Sequence, residues 1–445
     1  MASDLLSIAL SGAKAARTAL DVTAQNIANA GTSGYVRRSV SLKEVSGTGG
    51  FGSQADVSLS GVRLDRVVRN ADLFRQAEVR RTGADAARAN AEVSGLENIE
   101  AAVEQSRAYP SLVDFDGALQ RLAGDPTDPS LRAGVIETAR TLVGTFNIAA
   151  SGLASVGAGL QFDAAAGVSD INTLAGELAR VNLRLSRAAD ASSDQTTLLD
   201  QRDNLLQQIS TYGDVAAQFS ANGTVEVRIG GAAGPLLVQG GTASPLAMTT
   251  AANGTISFDV GGAPVSLTGG SIAGKALGLA KLAQVQGDLD AAANSLMTAV
   301  NTAQTGGAAL DGSAGQPLFS GTGAGGIALA FTDGAGLATA PVVAGAGSRN
   351  PANLDALRAA LATANPAGRL DALIFDVSST VSSRKITQSA LAAIAGNARI
   401  SLEAQAGVDL DTEAVNLLRY QQAFQASGKA MQVAGTIFDT LMNLR

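Results

Sequence analysis

The sequence contains no cysteine and no histidine. Disulfides, thiolate metal sites and a thiol nucleophile are thereby excluded, and the commonest general base and metal ligand is gone as well. Tryptophan is also absent, and aromatic residues make up 4% of the 445, although hydrophobic residues reach 46%. The apolar content is therefore mostly Ala, Leu and Val. Alanine buries little area, so close approach of helices must replace bulky packing. A basic excess is lacking too. Thirty-two Lys and Arg face 39 Asp and Glu, for a formal charge of −7, and no basic stripe offsets it, which argues against nucleic acid as a partner. Nowhere do 18 apolar residues follow one another, and the opening residues Met1 to Leu10 lack the cationic start and long apolar stretch of a secretory leader. The expectation is a soluble chain with no membrane insertion and no cleaved signal.

What is present is helical periodicity at both ends. Ser3 or Asp4 can cap a first helix in which Leu6, Ala9, Ala13, Ala16, Leu20, Thr23 and Ile27 recur at spacings of three and four. That helix should stop at the cluster Asn29, Gly31, Ser33 and Gly34. The segment to about Leu64 reads as irregular, and helix is expected again from near Asp65 to about Ser106. Asp125-Pro126 and Asp128-Pro129 are turns that can open the next helix. Helix then dominates to Ser210, with an interruption expected around Ser151 to Leu160.

The period changes at Val225, Val227 and Ile229 and again at Ile256, Phe258 and Val260, where apolar and polar residues alternate. Asn222-Gly223 and Asn253-Gly254 are hairpin-turn dipeptides, so a small β-rich domain is expected over 212–270. Helix returns from Ser271 to Thr305. Gly306 to Gly347 is rich in Gly and Ala and reads as loops with short strands. Further helices are expected from Asn353 and from Pro366 to Ala406. A last one carries Leu410, Ala414, Leu417, Gln421, Phe424, Gly428, Met431, Gly435, Phe438 and Met442 at spacings of four and three.

The fold class is thus mainly α with a small β-rich domain: paired N- and C-terminal heptad helices, a body of long helices and an inserted β domain. Three regions follow, namely a terminal coiled-coil region (1–35 with 408–445), a mainly helical core domain (36–211 with 271–407) and the β-rich domain (212–270). The two terminal seams are built from Ala, Thr, Gly and Gln as much as from large apolar groups. Each helix therefore needs neighbours to stay ordered. Those neighbours are either the other terminal helix on the same chain or another subunit.

Two long motifs sit at the two termini. Leu20-Asp21-Val22-Thr23-Ala24-Gln25-Asn26-Ile27-Ala28-Asn29 leads into Gly34-Tyr35, and Gly407-Val408-Asp409-Leu410 leads into Asn416-Leu417-Leu418-Arg419-Tyr420-Gln421-Gln422-Ala423-Phe424. Together they resemble the signatures of the bacterial flagellar rod, hook and hook-associated proteins. Gly34-Tyr35-Val36-Arg37, Arg419-Tyr420-Gln421, Leu198 to Leu206 and the ending Ile437 to Arg445 resemble the members of that family that join hook to filament, more than the hook or distal-rod subunits.

The resemblance implies a structural axial protein with no catalysis and no cofactor. Its terminal helices would line the export channel, and its β-rich domain would face outward. Implied partners are further copies of the chain, hook protein, hook-associated protein 3, a flagellar export chaperone on the C-terminal helix and the flagellar type III export apparatus. The implied location is extracellular, in the flagellum at the hook–filament junction. Assembly contacts fall on Leu6, Ala9, Ala13, Ala16, Leu20, Ile27, Leu410, Leu417, Phe424, Met431 and Phe438, with Asn26, Asn29, Gly34, Tyr35, Arg37, Arg419, Tyr420 and Gln421 as motif residues.

Other chemistries are weaker. Gly47, Gly49 and Gly52 fit G-x-G-x-x-G, as do Gly321, Gly323 and Gly326, but neither has the strand, helix start and later acidic residue of a dinucleotide site. Asp409, Asp411 and Glu413 alternate like a calcium loop, yet no glycine stands at its sixth position and Tyr420 replaces its final Glu, so helix capping is the simpler reading. Asp200, Arg202 and Asp203 read as exposed ion pairs or a packed contact. The glycine-rich stretch shows no sustained repeat that would mark an adhesin.

Overall fold

The computed structural model describes residues 2–32, 34–47, 58–189 and 192–443. Along the chain come helix α1 (Ala2–Ala28), strands β1 (Arg38–Gly47) and β2 (Ser58–Arg69), and helices α2 (Leu73–Ser106), α3 (Ala108–Gly124), α4 (Pro129–Leu185) and α5 (Ser193–Tyr212). Strands β3 (Val215–Phe219), β4 (Val225–Ile229), β5 (Leu236–Gln239) and β6 (Thr242–Ala243) form one antiparallel sheet in that order. Strands β7 (Leu246–Thr250), β8 (Ile256–Val260) and β9 (Ala263–Val265) form a second. After α6 (Gly270–Thr305) come β10 (Gly307–Ala308), β11 (Phe319–Ser320), α7 (Gly323–Gly326), β12 (Ala328–Leu329) and β13 (Ala340–Pro341). Helices α8 (Ala352–Ala364), α9 (Pro366–Ala406) and α10 (Leu410–Asn443) complete the chain.

Two compact units result. Unit one combines Met1–Gly83, Ile171–Pro245 and Ala392–Arg445; unit two combines Ala84–Asp170 and Leu246–Leu391. The strands within 212–270 therefore fall into two sheets, β3 to β6 in unit one and β7 to β9 in unit two. Both hairpin dipeptides do the work their chemistry suggests, with Gly223 (φ 84°) and Gly254 (φ 82°) turning β3 into β4 and β7 into β8.

Three expectations need correction. Within the segment before Leu64, residues 38–47 and 58–64 are strand and not irregular, residues 48–57 lie outside the described residues, and Asp65 does not start a helix: β1 and β2 pair antiparallel and helix begins only at Leu73. A bulge hides the strand. Leu42 pairs with Leu64 but Ser41 pairs with Arg66, so Asp65 is an extra residue that breaks the period of two. The third correction is α4, which runs without interruption through Ser151 to Leu160. Two of its three glycines there serve close packing: a Cβ on Gly157 would stand 2.8 Å from Leu282 Cδ2, and one on Gly152 3.4 Å from Ala102 Cβ, whereas Gly159 has open space beside it.

Helix starts follow capping chemistry. The Asp128 carboxylate accepts hydrogen bonds from Ser130 N at 2.7 Å and Leu131 N at 3.0 Å, with Pro129 as the first residue of α4. Asp72 does the same for α2 through Phe74 N and Arg75 N. The side chains of Ser3 and Asp4 lie outside the described residues.

The core of unit two gathers Leu112, Phe115 and Leu119 of α3, Leu142, Phe146 and Leu153 of α4, Leu289 and Leu296 of α6, and Leu354 and Leu357 of α8. Phe115 and Phe319 meet at 6.0 Å between ring centroids. Among the described residues α4 is the one helix long and apolar enough to cross a membrane, and its Leu142, Phe146 and Ala149 are spent on this core. In unit one the sheet is held against the end of α4 by Asn182. Its amide bonds Val225 N at 2.9 Å, Val225 O at 2.8 Å and Gly240 O at 3.0 Å.

The glycine-rich stretch after α6 consists of short strands and turns, and a single cation anchors it. Arg132 is 1% exposed and donates to Pro126 O (2.6 Å), Gly334 O (3.0 Å), Leu337 O (2.9 Å) and Thr339 Oγ1 (2.8 Å). Gly334 lies so close to α4 that a Cβ on it would stand 2.9 Å from Arg132 Cβ.

Candidate assembly interface

Helices α1 and α10 pack antiparallel within unit one. Gly12 faces Ser427, where an added Cβ would stand 3.0 Å from the hydroxyl, and the loop after α1 meets Glu413 near the start of α10. Helix α1 has further neighbours, since β1 and β2 pack on it as well. Its small residues Ala9, Ala13 and Ala16 are buried, together with Ala19 and Val22, while Leu20 and Ile27 are partly buried. Leu6 is exposed. On α10, Leu417 and Met431 are partly buried, whereas Leu410, Phe424 and Phe438 stay exposed, Phe438 by 52%.

The expected α10 stripe is therefore not one seam against α1. The buried positions of α10 are Glu413 and Ala434, which that stripe omits. The Met442 side chain lies outside the described residues. Large apolar side chains remain uncovered on both helices: Leu5, Leu6 and Leu10 of α1, and Leu410, Val415, Leu418, Phe424, Val433, Ile437 and Phe438 of α10. Covering one such side chain is worth about 1.5–3 kcal/mol, so the face gains from a partner.

Behind this face lies an ionic latch that brings the N-terminal motif onto three other chain segments. Asn26, almost fully buried, accepts from Tyr35 Oη (2.9 Å) and Arg38 N (3.0 Å) and donates to Arg38 O (2.8 Å). Gly34, at φ 80°, makes the turn that returns Tyr35 to Asn26. Burial pushes the Tyr35 phenol above its ordinary range; Arg38 opposes this, and Asp200 and Glu413 add to it. Arg38 reaches Asp200 at 2.9 Å. Arg69 of β2 bridges Asp200 (2.7 Å) and Asp203 (2.9 Å), and Arg202 clasps Asp203 at 2.6 Å while stacking over the Phe219 ring at 4.5 Å. Gln76 of α2 also donates to Asp203, at 3.2 Å. Burial lowers the Arg202 pKa, and Asp203 opposes that shift. The cluster Asp200, Arg202 and Asp203 is thus a packed contact, not a row of exposed ion pairs.

Arg37 extends the latch to α10. Its Nε donates to Glu413 Oε1 at 2.7 Å, and Arg37 N donates to Ala406 O at 2.9 Å. Glu413 is 1% exposed and Arg37 about a quarter exposed. Glu413→Gln should therefore loosen the first turns of α10 by about 1–2 kcal/mol, because a neutral amide oxygen accepts from the guanidinium more weakly than a carboxylate does while Arg37 can rehydrate. Faster hydrogen exchange over residues 410–420, with the β3–β6 sheet unchanged, is the expected reading.

Not every motif residue joins the latch. Asn29 bonds back to Gln25 O within its own helix at 2.9 Å, Arg419 and Gln421 are exposed, and Tyr420 is partly buried. Ser33 lies outside the described residues, as do Leu444 and Arg445.

The other candidate chemistries find little support in geometry. Gly49 and Gly52 lie outside the described residues. In the second glycine motif Asp290 accepts from Ala324 N at 2.7 Å and Asn294 from Gly323 N at 2.9 Å, so a carboxylate already sits where a phosphate would need free amides. Asp409 caps α10 through Asp411 N at 3.0 Å, and Glu413 is committed to Arg37. Among the described residues no three acidic groups stand close enough to hold a metal ion.

Comparison with known proteins agrees with the placement of both ends. The family model for flagellar basal body rod proteins matches residues 6–35, and the model described as flagellar basal body rod FlgEFG protein C-terminal matches 403–444. The model described as the flagellar hook-associated protein FlgK helical domain matches residues 93–319. Flagellar hook-associated protein 1 of Escherichia coli (strain K12) is 28% identical over 245 residues, 54% of this chain and 44% of that protein. The Salmonella typhimurium protein of the same name is 29% identical, over 54% and 43%, and that of Bacillus subtilis (strain 168) 27% identical, over 48% and 46%. The chain thus matches less than half the length of these relatives. A solved structure, the flagellar hook junction protein FlgK of Burkholderia pseudomallei, aligns at 24% identity with a TM-score of 0.46, covering 54% of this chain and 46% of the other. Because the helical-domain model alone spans just over half of the residues, the chain belongs to the flagellar hook-associated protein FlgK family.

Proposed function

We propose that this chain is a non-catalytic structural subunit of the bacterial flagellum that joins hook to filament, building itself into the axial lattice through the uncovered face of α1 and α10. The observation that carries the reading is the coincidence of two facts. The two segments matched by the rod-type family models are α1 and α10, and the same helices leave Leu6, Leu10, Phe424, Ile437 and Phe438 in solvent. Assembly would cover that surface, and the burial would drive it.

In this reading the chain is exported through the flagellar type III apparatus. A chaperone shields the apolar face of α10 before assembly, as a groove shields an amphipathic helix. Outside the cell the chain polymerises on hook protein and presents the surface on which hook-associated protein 3 is laid down.

Electron microscopy of cells lacking the gene, with an assay for flagellin in the medium, tests this. Hooks without filaments and flagellin lost to the medium are expected, restored by the wild-type gene. A Phe424→Asp, Phe438→Asp variant should be exported and folded yet fail to restore filaments. Missing hooks would move the chain to the rod or hook, and normal filaments would overturn the junction reading.

A further inference from the structure

Unit one contains a cavity of about 570 Å³ that the assembly reading leaves without a role. It lies between the early part of α2, the middle of α5 and the last turns of α9. Arg80 of α2 lines it and is 5% exposed. Among the described residues nothing accepts a hydrogen bond from its guanidinium, which lies 6.0 Å from the centroid of the Phe219 ring. Its nearest counter-charge, Asp203, is spent: Arg202 holds one oxygen, and Arg69 and Gln76 hold the other.

The wall itself carries Arg80 and Arg399 against Asp203 and Glu403, and Arg399 is paired with Glu403 at 2.8 Å. Behind the wall Arg38, Arg69 and Arg202 outnumber Asp200 and Asp203, the carboxylates they hold, so Arg80 is the wall cation left without a partner. Burial destabilises the charged form of Arg80, Asp203 partly offsets this, and Arg202 adds to it. A guanidinium does not escape by losing its proton, so an uncompensated buried arginine calls for an anion.

We propose that this cavity is a carboxylate site. The planar fork of Arg80 matches the two oxygens of a carboxylate, which also answers the positive excess behind it. The carboxylate comes either from a small free anion or from an Asp or Glu side chain of a second copy of the chain.

The test uses the full chain titrated with sodium succinate by calorimetry, against sodium chloride at matched ionic strength, with sedimentation velocity run alongside. Saturable succinate binding without self-association identifies a free anion. Self-association reversed by succinate identifies a neighbour's acidic side chain. In either case Arg80→Met, folded by circular dichroism, should weaken the effect at least about tenfold. If Arg80→Met does not fold, Arg80→Lys, which keeps charge but loses the fork, should weaken it about threefold or more. Neither succinate binding nor succinate-sensitive association in the wild type, or an undiminished effect in the variants, would overturn the proposal.

Discussion

Replacing Arg132 by methionine should cost unit two about 3–5 kcal/mol, the range for breaking a buried charged network from one side. Methionine fills much of the volume but has no donor, so Pro126 O, Leu337 O and Thr339 Oγ1 would lose the guanidinium while still out of water, and Gly334 O would keep only Leu337 N. Gly334, Ala335 and Gly336 contribute no apolar side chain beyond one methyl, and the remaining anchors of this backbone are the buried Leu337 and the hydrogen bonds of Ala335 O to Leu310 N and of Ala338 to Gln304 and Asn353. The damage should therefore be local first. Limited proteolysis should cut within 306–347 well before it cuts α4 or α6, and the unfolding midpoint should fall. Arg132→Lys should lie between, because one ammonium supplies three donors without the planar geometry that reaches four acceptors. A methionine variant as resistant to protease as the wild type would show that the clamp does not hold the stretch.

The second large effect concerns the latch. Asp203→Asn preserves shape but removes one of two carboxylates that face Arg69 and Arg202, leaving these guanidiniums buried with Asp200 alone. A loss of about 3–5 kcal/mol is expected. It should appear in hydrogen exchange as deprotection of α5 and of β1 and β2, with the core of unit two unaffected. Joint replacement tests the origin of the cost: Asp203→Asn with Arg202→Met should recover part of it, since the second change removes the charge the first one strands. If the double variant is as unstable as the sum of the two, packing and not charge carries the effect.

Much of this was legible in the residues. The small-residue face of α1 was readable because Ala9, Ala13 and Ala16 recur at helical spacing and are buried. The starts of α4 and α10 follow from Asp128-Pro129 and Asp409, and the hairpin turns from Asn-Gly pairs. The β1–β2 hairpin was not readable, because Asp65 shifts the alternation by one residue in mid-strand. Nor was the latch. Its bonds between separate segments join residues 127 to 376 positions apart, as in Gln76 with Asp203 and Arg37 with Glu413, and no local spacing encodes such pairs. The α10 stripe misled for a different reason. Heptad spacing marks positions that share a face, but it does not say whether that face meets α1 or solvent.

The composition of unit one has a consequence for the order of folding. Its latch draws on residues near 26–38, on Arg69, on residues 200–203 and on Glu413, and unit one as a whole is assembled from three separated stretches of chain. Contacts that span so much sequence are slow to form, because long loops must close before any of them is rewarded. Unit two needs only two stretches, both of which precede residue 392. A chain that emerges N-terminus first can complete unit two while α1 and the β1–β2 hairpin still wait for α10. Through that interval the apolar side of α1 is without its partner, and the chain is then at its most exposed to aggregation.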